Sequence, residues 1–401
     1  MRFAAVILQF GLIWFAFGLP FQPKWLPTSL GMMLAGVGWL ILLFRLKQQF
    51  RFKPLTLLPL LLFLLYAIGA LYSSDASRAS KIISLSIPLG AFPLLFLTKS
   101  AQQLAPQLLR FFLASSVFAA VVTLGYLLWV VVISPQPDIT YRQYSPFSHI
   151  PSHYLAMYFS FAGGAWWLMS AREKSPWFHF VPGAILLLTS LLMNARIQFL
   201  VVLLVIIWTL VTAFKHTRPT PKRKLMVVLG AVLMLGSVFA LPENQRRLKE
   251  TRDEWRNMAK VDESKQKNHR VYLWTYGVGV IQEAPLFGHG TGDANKQLQD
   301  AYQSSDAQFW DGEGLYYLRD VGYNYHNQFL QLWASNGVWA FLILIVILLV
   351  LLKNPHPAAK VLALVLFFSM LTESILERQA GVFFFAFLFA VVGHLRPYDE
   401  A

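Results

Sequence analysis

Long apolar runs separated by short polar turns fill most of the chain. Runs able to span a bilayer fall at roughly 3–19, 28–44, 55–72, 82–97, 108–133, 152–170, 178–193, 197–214, 225–241, 327–352, 359–373 and 381–395. A membrane helix needs about 20 consecutive apolar residues. The pattern therefore predicts an all-α integral membrane protein with about twelve transmembrane helices. One polar stretch is long, 242–325. It divides the chain into helices 1–9 over 1–241, a large loop over 242–325, and helices 10–12 over 326–401. The first run, Phe3 to Leu19, has the look of a signal sequence. Pro20, Phe21, Gln22 and Pro23 follow it instead of a small-residue cleavage site, so it is expected to remain as the first helix.

Composition agrees with this reading. The chain is 56% hydrophobic and 13% charged, about half the charge of a soluble protein. Mean hydropathy is +0.50. There is no cysteine, which excludes disulfides and thiol chemistry. A net charge of +14 would suggest nucleic acid in a soluble protein. Here its distribution gives a simpler cause. Seventeen Lys and Arg lie at one alternate set of helix ends and six at the other, with eleven more in the long loop. Positive loops stay in the cytoplasm, and long loops are discounted. Both termini are then cytoplasmic, and the long loop is extracytoplasmic.

The six outward basic residues are Lys24, Arg78, Lys81, Arg142, Arg196 and Arg378. They run against the charge rule, so each needs a reason. Arg196, in LLMNARIQFL, sits between two apolar runs with almost no loop. It is expected to face a cavity between helices. The loop at 135–151 is rich in Pro, Tyr and Ser, which suits an ordered outer loop. His149 and His153 are four apart and could hold a metal on one helical face. Pro151 between them argues against that face, and no catalytic metal is expected.

Residues 243–265 carry many opposite charges at i,i+4, the mark of a solvated helix. Beyond them, Val271, Trp274, Val278 and Ile281 recur at helical spacing, with Arg270 one turn before Trp274. This helix is expected to stop before Pro285. GHGTG at 288–292 follows. Such a turn can cradle a phosphate through its backbone N–H groups, but a plain turn is the commoner reading. Residues 293–321 have no period and suggest a mobile loop or a sugar-facing surface, with Trp310, Tyr316 and Tyr317 as platforms. Glu373, Glu377 and Arg378 cluster before the last run, where local Glu–Arg pairing is an adequate explanation and holding the active-site helices together is the alternative. His326, between Tyr325 and Asn327, stands where the tenth helix leaves the polar loop. An ionisable group at such a junction is a candidate functional residue.

Outward cations beside an interfacial histidine suit chemistry on an anionic lipid. Arginine forks match phosphate oxygens, and histidine can serve as a base near neutral pH. Glycosyl transfer from a lipid pyrophosphate needs both groups, one to take the acceptor's proton and one to stabilise the leaving diphosphate.

Four features together resemble the O-antigen ligase superfamily. They are Arg270 with Trp274, PLFGHG at 285–290, His326–Asn327 with Leu330, and NARIQF at 194–199. YSSDASRASK at 72–81 is similar to that family's first outward loop. The resemblance implies a GT-C-like fold, with an active site facing the periplasm from a bacterial inner membrane. It also implies metal-independent, inverting transfer from undecaprenyl pyrophosphate without a cofactor. His326 would be the base. Arg196 and Arg270 would bind pyrophosphate, helped by Lys81, although Arg78 could align in its place. The superfamily holds ligases, which use lipid A–core oligosaccharide as acceptor, and polymerases, which use a second lipid-linked repeat. The HNQFLQ context and single outer loop favour a ligase. A transporter would be expected to show repeated halves with broken helices, and the sequence shows no such repeat. Membrane lipids are the other expected partners, and nucleic acid is not one.

Overall fold

The computed structural model describes residues 2–21, 27–46, 53–129, 150–172, 177–193, 195–217, 269–310 and 315–396, with four single positions between 218 and 268. Apart from those four positions, the ninth apolar run and the 243–265 segment lie outside these residues, as do Arg142 and His149. The eleven other runs each coincide with a helix. They are α1 (Arg2–Gly18), α2 (Thr28–Leu46), α3 (Leu58–Leu71), α4 (Ala76–Leu95), α5 (Lys99–Leu128), α6 (Ser152–Arg172), α7 (Val181–Leu192) and α8 (Arg196–Thr217). After the two loop helices α9 (His269–Glu283) and α10 (Ala294–Tyr302) come α11 (Gln328–Lys353), α12 (Pro357–Thr372) and α13 (Gln379–Val392). Among the described residues four stretches are long and apolar enough to cross a membrane: Phe3–Phe21, Pro54–Leu71, Lys99–Leu128 and Gln328–Lys353. Five shorter apolar helices accompany them. The fold is that of a helical, multi-pass membrane protein.

The last helix is the pillar of the bundle. Every residue of α13 from Ala380 to Val392 is buried, as expected of a helix that is apolar all round. Phe384 stacks on Tyr158 of α6 at 4.7 Å, and Phe387 meets Phe15 of α1 and Phe92 of α4 at 5.1 and 5.4 Å. Burying this helix fixes the short turn before it, residues 373–378.

Turns gather at two ends of the bundle. At one end Lys53 Nζ donates to Gly393 O, and the rings of Phe96 and His394 lie 5.4 Å apart. At the other end the turns before α4, α8, α11 and α13 converge. Ser74 and Asp75 donate their N–H groups to Asp293, Arg78 approaches Glu377, and Gln198 of α8 donates to Ser369 of α12. Three of the turns named from the charge pattern, those of Arg78, Arg196 and Arg378, thus lie at one end of the bundle.

The long loop is docked on this second end. Residues 293–321, expected to lack regular structure, contain α10 and an antiparallel hairpin of β1 (Gln308–Trp310) and β2 (Leu315–Tyr317). Ala294, Leu298 and Tyr302 of α10 recur every four residues and are buried, so a single apolar stripe holds this otherwise polar helix. On α9 the buried face is Leu273, Gly277, Val280 and Ile281. The predicted stripe is offset from it: Val278 is exposed and Trp274 partly so. The helix is apolar on two sides, one facing the loop's core and one facing outward.

A break in α11 receives the loop. Gly337 has φ 76° and ψ −175° within the helix. A Cβ there would overlap the Leu286 carbonyl, so only glycine serves. The groups freed by the break are satisfied by 285–290. His289 and Gly290 donate to Ala334 O and Ser335 O at 2.8 and 3.0 Å, and Val338 donates to Pro285 O at 3.0 Å. Breaks at membrane depth are tolerated where protein re-satisfies the backbone in this way.

Candidate functional site

His326 precedes α11 with φ 43°, a left-handed conformation rare for a side chain of this size and enriched at functional sites. Its N–H donates to Asn324 Oδ1 at 3.0 Å. Asn327 then caps α11: its Oδ1 accepts from Phe329 N and Leu330 N at 2.9 and 3.1 Å. This is the ordinary role of Asn at a helix start.

Three consecutive residues tie this junction to the end of α12. His326 Nδ1 lies 3.1 Å from Glu373 Oε2. Asn327 Nδ2 donates to Leu371 O at 3.2 Å. Leu376 N–H donates to Gln328 Oε1 at 2.7 Å. The two side chains of the pair are only 20% and 18% exposed, so solvent screens them little.

Burial pushes the Glu373 carboxyl upward. The hydrogen bond with His326 and the nearby charges of His326, His153 and Arg270 outweigh it and hold Glu373 below the usual carboxylate range. An ionised Glu373 accepts, so in the neutral imidazole Nδ1 carries the proton and Nε2 keeps its lone pair. Glu373 thereby selects the tautomer of His326, as a carboxylate does in a nucleophile–histidine–carboxylate triad. Local Glu–Arg pairing does not account for this residue.

Glu377 also departs from that expectation. It reaches inward to Arg78 Nη2 at 3.9 Å and accepts from Asn295 Nδ2 at 3.2 Å. Asn295 Oδ1 in turn accepts from Gln331 Nε2 at 2.9 Å. Burial raises the Glu377 carboxyl above its ordinary value, against the opposing pull of Arg78, Asn295 and Arg378. The network joins α4, α10, α11 and the 373–378 turn through buried polar groups.

The other named residues divide. Arg270 opens α9 and its charge acts on both Glu373 and His153, so it belongs with His326. Arg196 is the first residue of α8 and is exposed. It stands at the same end of the bundle, two residues before the Gln198–Ser369 bond, rather than enclosed between helices as expected. The reason is local: it lies in the first turn of its helix, outside the packed interior. Lys81 is exposed on α4, whereas Arg78, one turn earlier, makes the contact with the site's acidic turn.

His153, weighed in the sequence as a metal partner of His149, is half-buried at the start of α6, and its buried Nε2 has no hydrogen-bond partner. The charges of Glu373, His326, Arg270 and Arg378 act on it. Among the described residues no three His, Cys, Asp or Glu side chains come together as a metal site.

GHGTG is not a phosphate cradle. Besides the bonds to α11, Thr291 N donates to Gly69 O at 3.2 Å and Gly292 N to Ser73 Oγ at 2.9 Å. Its donors are spent on the fold. Asp293, just after it, is pushed up by burial but held below its ordinary range by the Ser74 and Asp75 donors.

An apolar groove of about 430 Å³ opens beside the site. Trp274 and Val278 of α9, Phe329, Leu330 and Ile345 of α11, and Phe367 and Leu371 of α12 line it. Asn327, the neighbour of His326, lies in its wall.

No curated protein matches the chain. Residues 181–345 match a family model described as O-Antigen ligase. The matched stretch holds Arg196, Arg270 and His326 and ends before Glu373. From α7 into the broken helix α11, the chain is similar to the O-antigen ligase family.

Proposed function

We propose that the chain is an inverting glycosyltransferase of the bacterial inner membrane that works on its periplasmic side. It moves a glycan from undecaprenyl pyrophosphate to lipid A–core oligosaccharide. The acceptor hydroxyl attacks the anomeric carbon from the face opposite the diphosphate. The new glycosidic bond forms as the bond to the diphosphate oxygen breaks. His326 Nε2 takes the hydroxyl proton, and the His326–Glu373 hydrogen bond stabilises the imidazolium that results. Arg270 and Arg196 stabilise the charge gathering on undecaprenyl pyrophosphate as it leaves.

The observation that carries this reading is the His326 Nδ1–Glu373 Oε2 contact. It leaves one imidazole nitrogen to act as a base, next in sequence to Asn327 in the wall of the apolar groove. The groove's apolar walls suit the isoprenoid chain, with the reacting diphosphate held at its polar end. The family domain supports ligase or polymerase chemistry in general. The preference for lipid A–core rests on the sequence context of His326.

The test is transfer by purified protein in lipid nanodiscs. Undecaprenyl-pyrophosphate glycan is supplied with lipid A–core alone or with a second lipid-linked repeat alone, without added metal. A new glycosidic bond to lipid A–core, seen by mass spectrometry, is expected. Elongated lipid-linked glycan alone would make the chain a polymerase. No new bond with either acceptor would overturn the enzymatic reading.

A further inference from the structure

The catalytic reading uses His326 and Glu373 but leaves a run of aromatic rings unexplained. The run begins on the hairpin and ends at the base. Tyr316 on β2 is 41% exposed, and its ring lies 6.2 Å from that of Phe309 on β1. Phe309 is buried and contacts two further rings, Tyr323 at 5.7 Å and His269 at 5.4 Å. Those two stack on each other at 5.2 Å with 23° between their planes. Both then stand nearly perpendicular to His326, Tyr323 at 5.4 Å and His269 at 5.7 Å. Tyr323 and His269 are half-buried, so they border the site while Phe309 supports them from beneath.

A packing role alone calls for apolar side chains closed off from water. Only Phe309 fits that description. The others carry polar atoms, and Tyr316, paired with Phe309 across the two strands, is exposed. Geometry adds a second point. Glu373 holds Nδ1, so the acceptor hydroxyl must come to Nε2, and the ring that carries it must lie against what flanks His326. Two of those flanking groups are Tyr323 and His269. Pyranose rings have an apolar face of C–H bonds, and the electron-rich face of an aromatic ring attracts such groups.

We infer that Tyr323 and His269, extended by Tyr316, form the saccharide-binding track of the acceptor, with the sugar nearest the track's inner end presenting its hydroxyl to His326. This rests on the glycosyltransferase reading and assigns its acceptor subsite. The ligand class is an oligosaccharide with an exposed pyranose face. Selectivity comes from stacking, so one sugar ring can replace another provided its apolar face is free.

The experiment measures binding of delipidated core oligosaccharide and of undecaprenyl pyrophosphate to full-length protein in nanodiscs, beside melting temperature and transfer. Tyr323→Leu is expected to weaken oligosaccharide binding about tenfold, the factor that corresponds to about 1.4 kcal/mol of lost ring contact. Tyr323→Phe keeps the ring and should bind as wild type does. Tyr316→Ala, at an exposed position, should weaken oligosaccharide binding about two- to threefold, a few tenths of a kcal/mol. Undecaprenyl pyrophosphate affinity and melting temperature should stay unchanged in all three. Wild-type oligosaccharide affinity in Tyr316→Ala and in any folded Tyr323→Leu protein would overturn the track. So would equal losses of donor and oligosaccharide affinity with a lowered melting temperature, which mark packing. Oligosaccharide binding without transfer by wild type would sink the catalytic reading and leave the track standing. Transfer unaffected by all three variants would do the reverse.

Discussion

Two histidines of the loop region, His289 and His326, make an instructive pair. Each lies in a short polar turn against α11, and each turn contains left-handed backbone, at Gly288 and Gly290 in one and at His326 itself in the other. Their partners differ. His289 places Nε2 2.8 Å from Val280 O, a carbonyl nine residues away, and its backbone N–H closes the break in α11. His326 places Nδ1 against a carboxylate 47 residues away. A backbone carbonyl can only accept, and it anchors the ring as a strut. A carboxylate also stabilises the ring once it gains a proton. On the proposed mechanism, what separates a structural from a catalytic histidine here is the charge of its partner, not its place in a turn.

The sharpest way to break the comparison is to neutralise that partner. Glu373→Gln can donate an amide N–H to Nδ1, which moves the ring proton to Nε2 and leaves no base. Turnover is expected to fall on the order of 10²-fold or more, as for tautomer errors in related triads, with donor affinity retained. Stability links to pH in a defined direction. Because the folded-state Glu373 lies below its ordinary value, its contribution is fully present above the unfolded value of about 4.3. It is lost as pH falls through the folded value. Melting temperature should therefore drop more steeply with acid in wild type than in Glu373→Gln, and parallel curves would deny the pairing. Glu377 titrates alike in both.

The cations come next. Arg270→Ala should weaken undecaprenyl pyrophosphate binding and turnover about ten- to a hundredfold, the loss of a charged hydrogen bond worth about 1.5–3 kcal/mol. Arg196→Ala should lose less, because Arg196 is exposed. Lysine at position 270 should restore only part, since it cannot fork. Normal donor affinity in both alanine variants would remove the diphosphate from their role.

The smallest kinetic effect belongs to the other histidine. His289→Ala leaves Val280 O without its ring partner and should cost about 1–3 kcal/mol of stability, read as a lower melting temperature. Turnover per folded molecule should be unchanged. A large turnover loss at wild-type stability would erase the distinction between the two histidines.

Much of this was legible in the chain. Apolar runs located eleven helices, because a bilayer demands long apolar segments whatever their partners. Arg270 and His326 stood out through short local motifs at helix starts. Glu373 was not singled out as the partner of His326 from sequence, because that contact is tertiary and no local rule reports it. The sequence could not separate Arg78 from Lys81 for the same reason: both lie in the first two turns of α4, and only the packing of the 373–378 turn brings Arg78 to Glu377. The break at Gly337 was hidden inside an apolar run, where a glycine is tolerated for many reasons. The sequence could favour a plain turn at GHGTG but not name most of the groups that take its donors, because those from α3, the turn after it and α11 are remote in sequence. Helix α10 escaped because its overall polarity masked a stripe of three residues.

The central claim is that His326 acts as the base, and His326→Gln tests it most directly. Glutamine keeps a polar group of similar reach but cannot take a proton from an alcohol near neutral pH. The measurement is turnover and melting temperature on the same nanodisc preparation. The account predicts a melting temperature close to wild type, retained donor binding and a turnover loss of about 10²–10⁴-fold, the range for a positioned base. Full turnover in His326→Gln, or a turnover loss matched by collapse of the melting temperature, would contradict it.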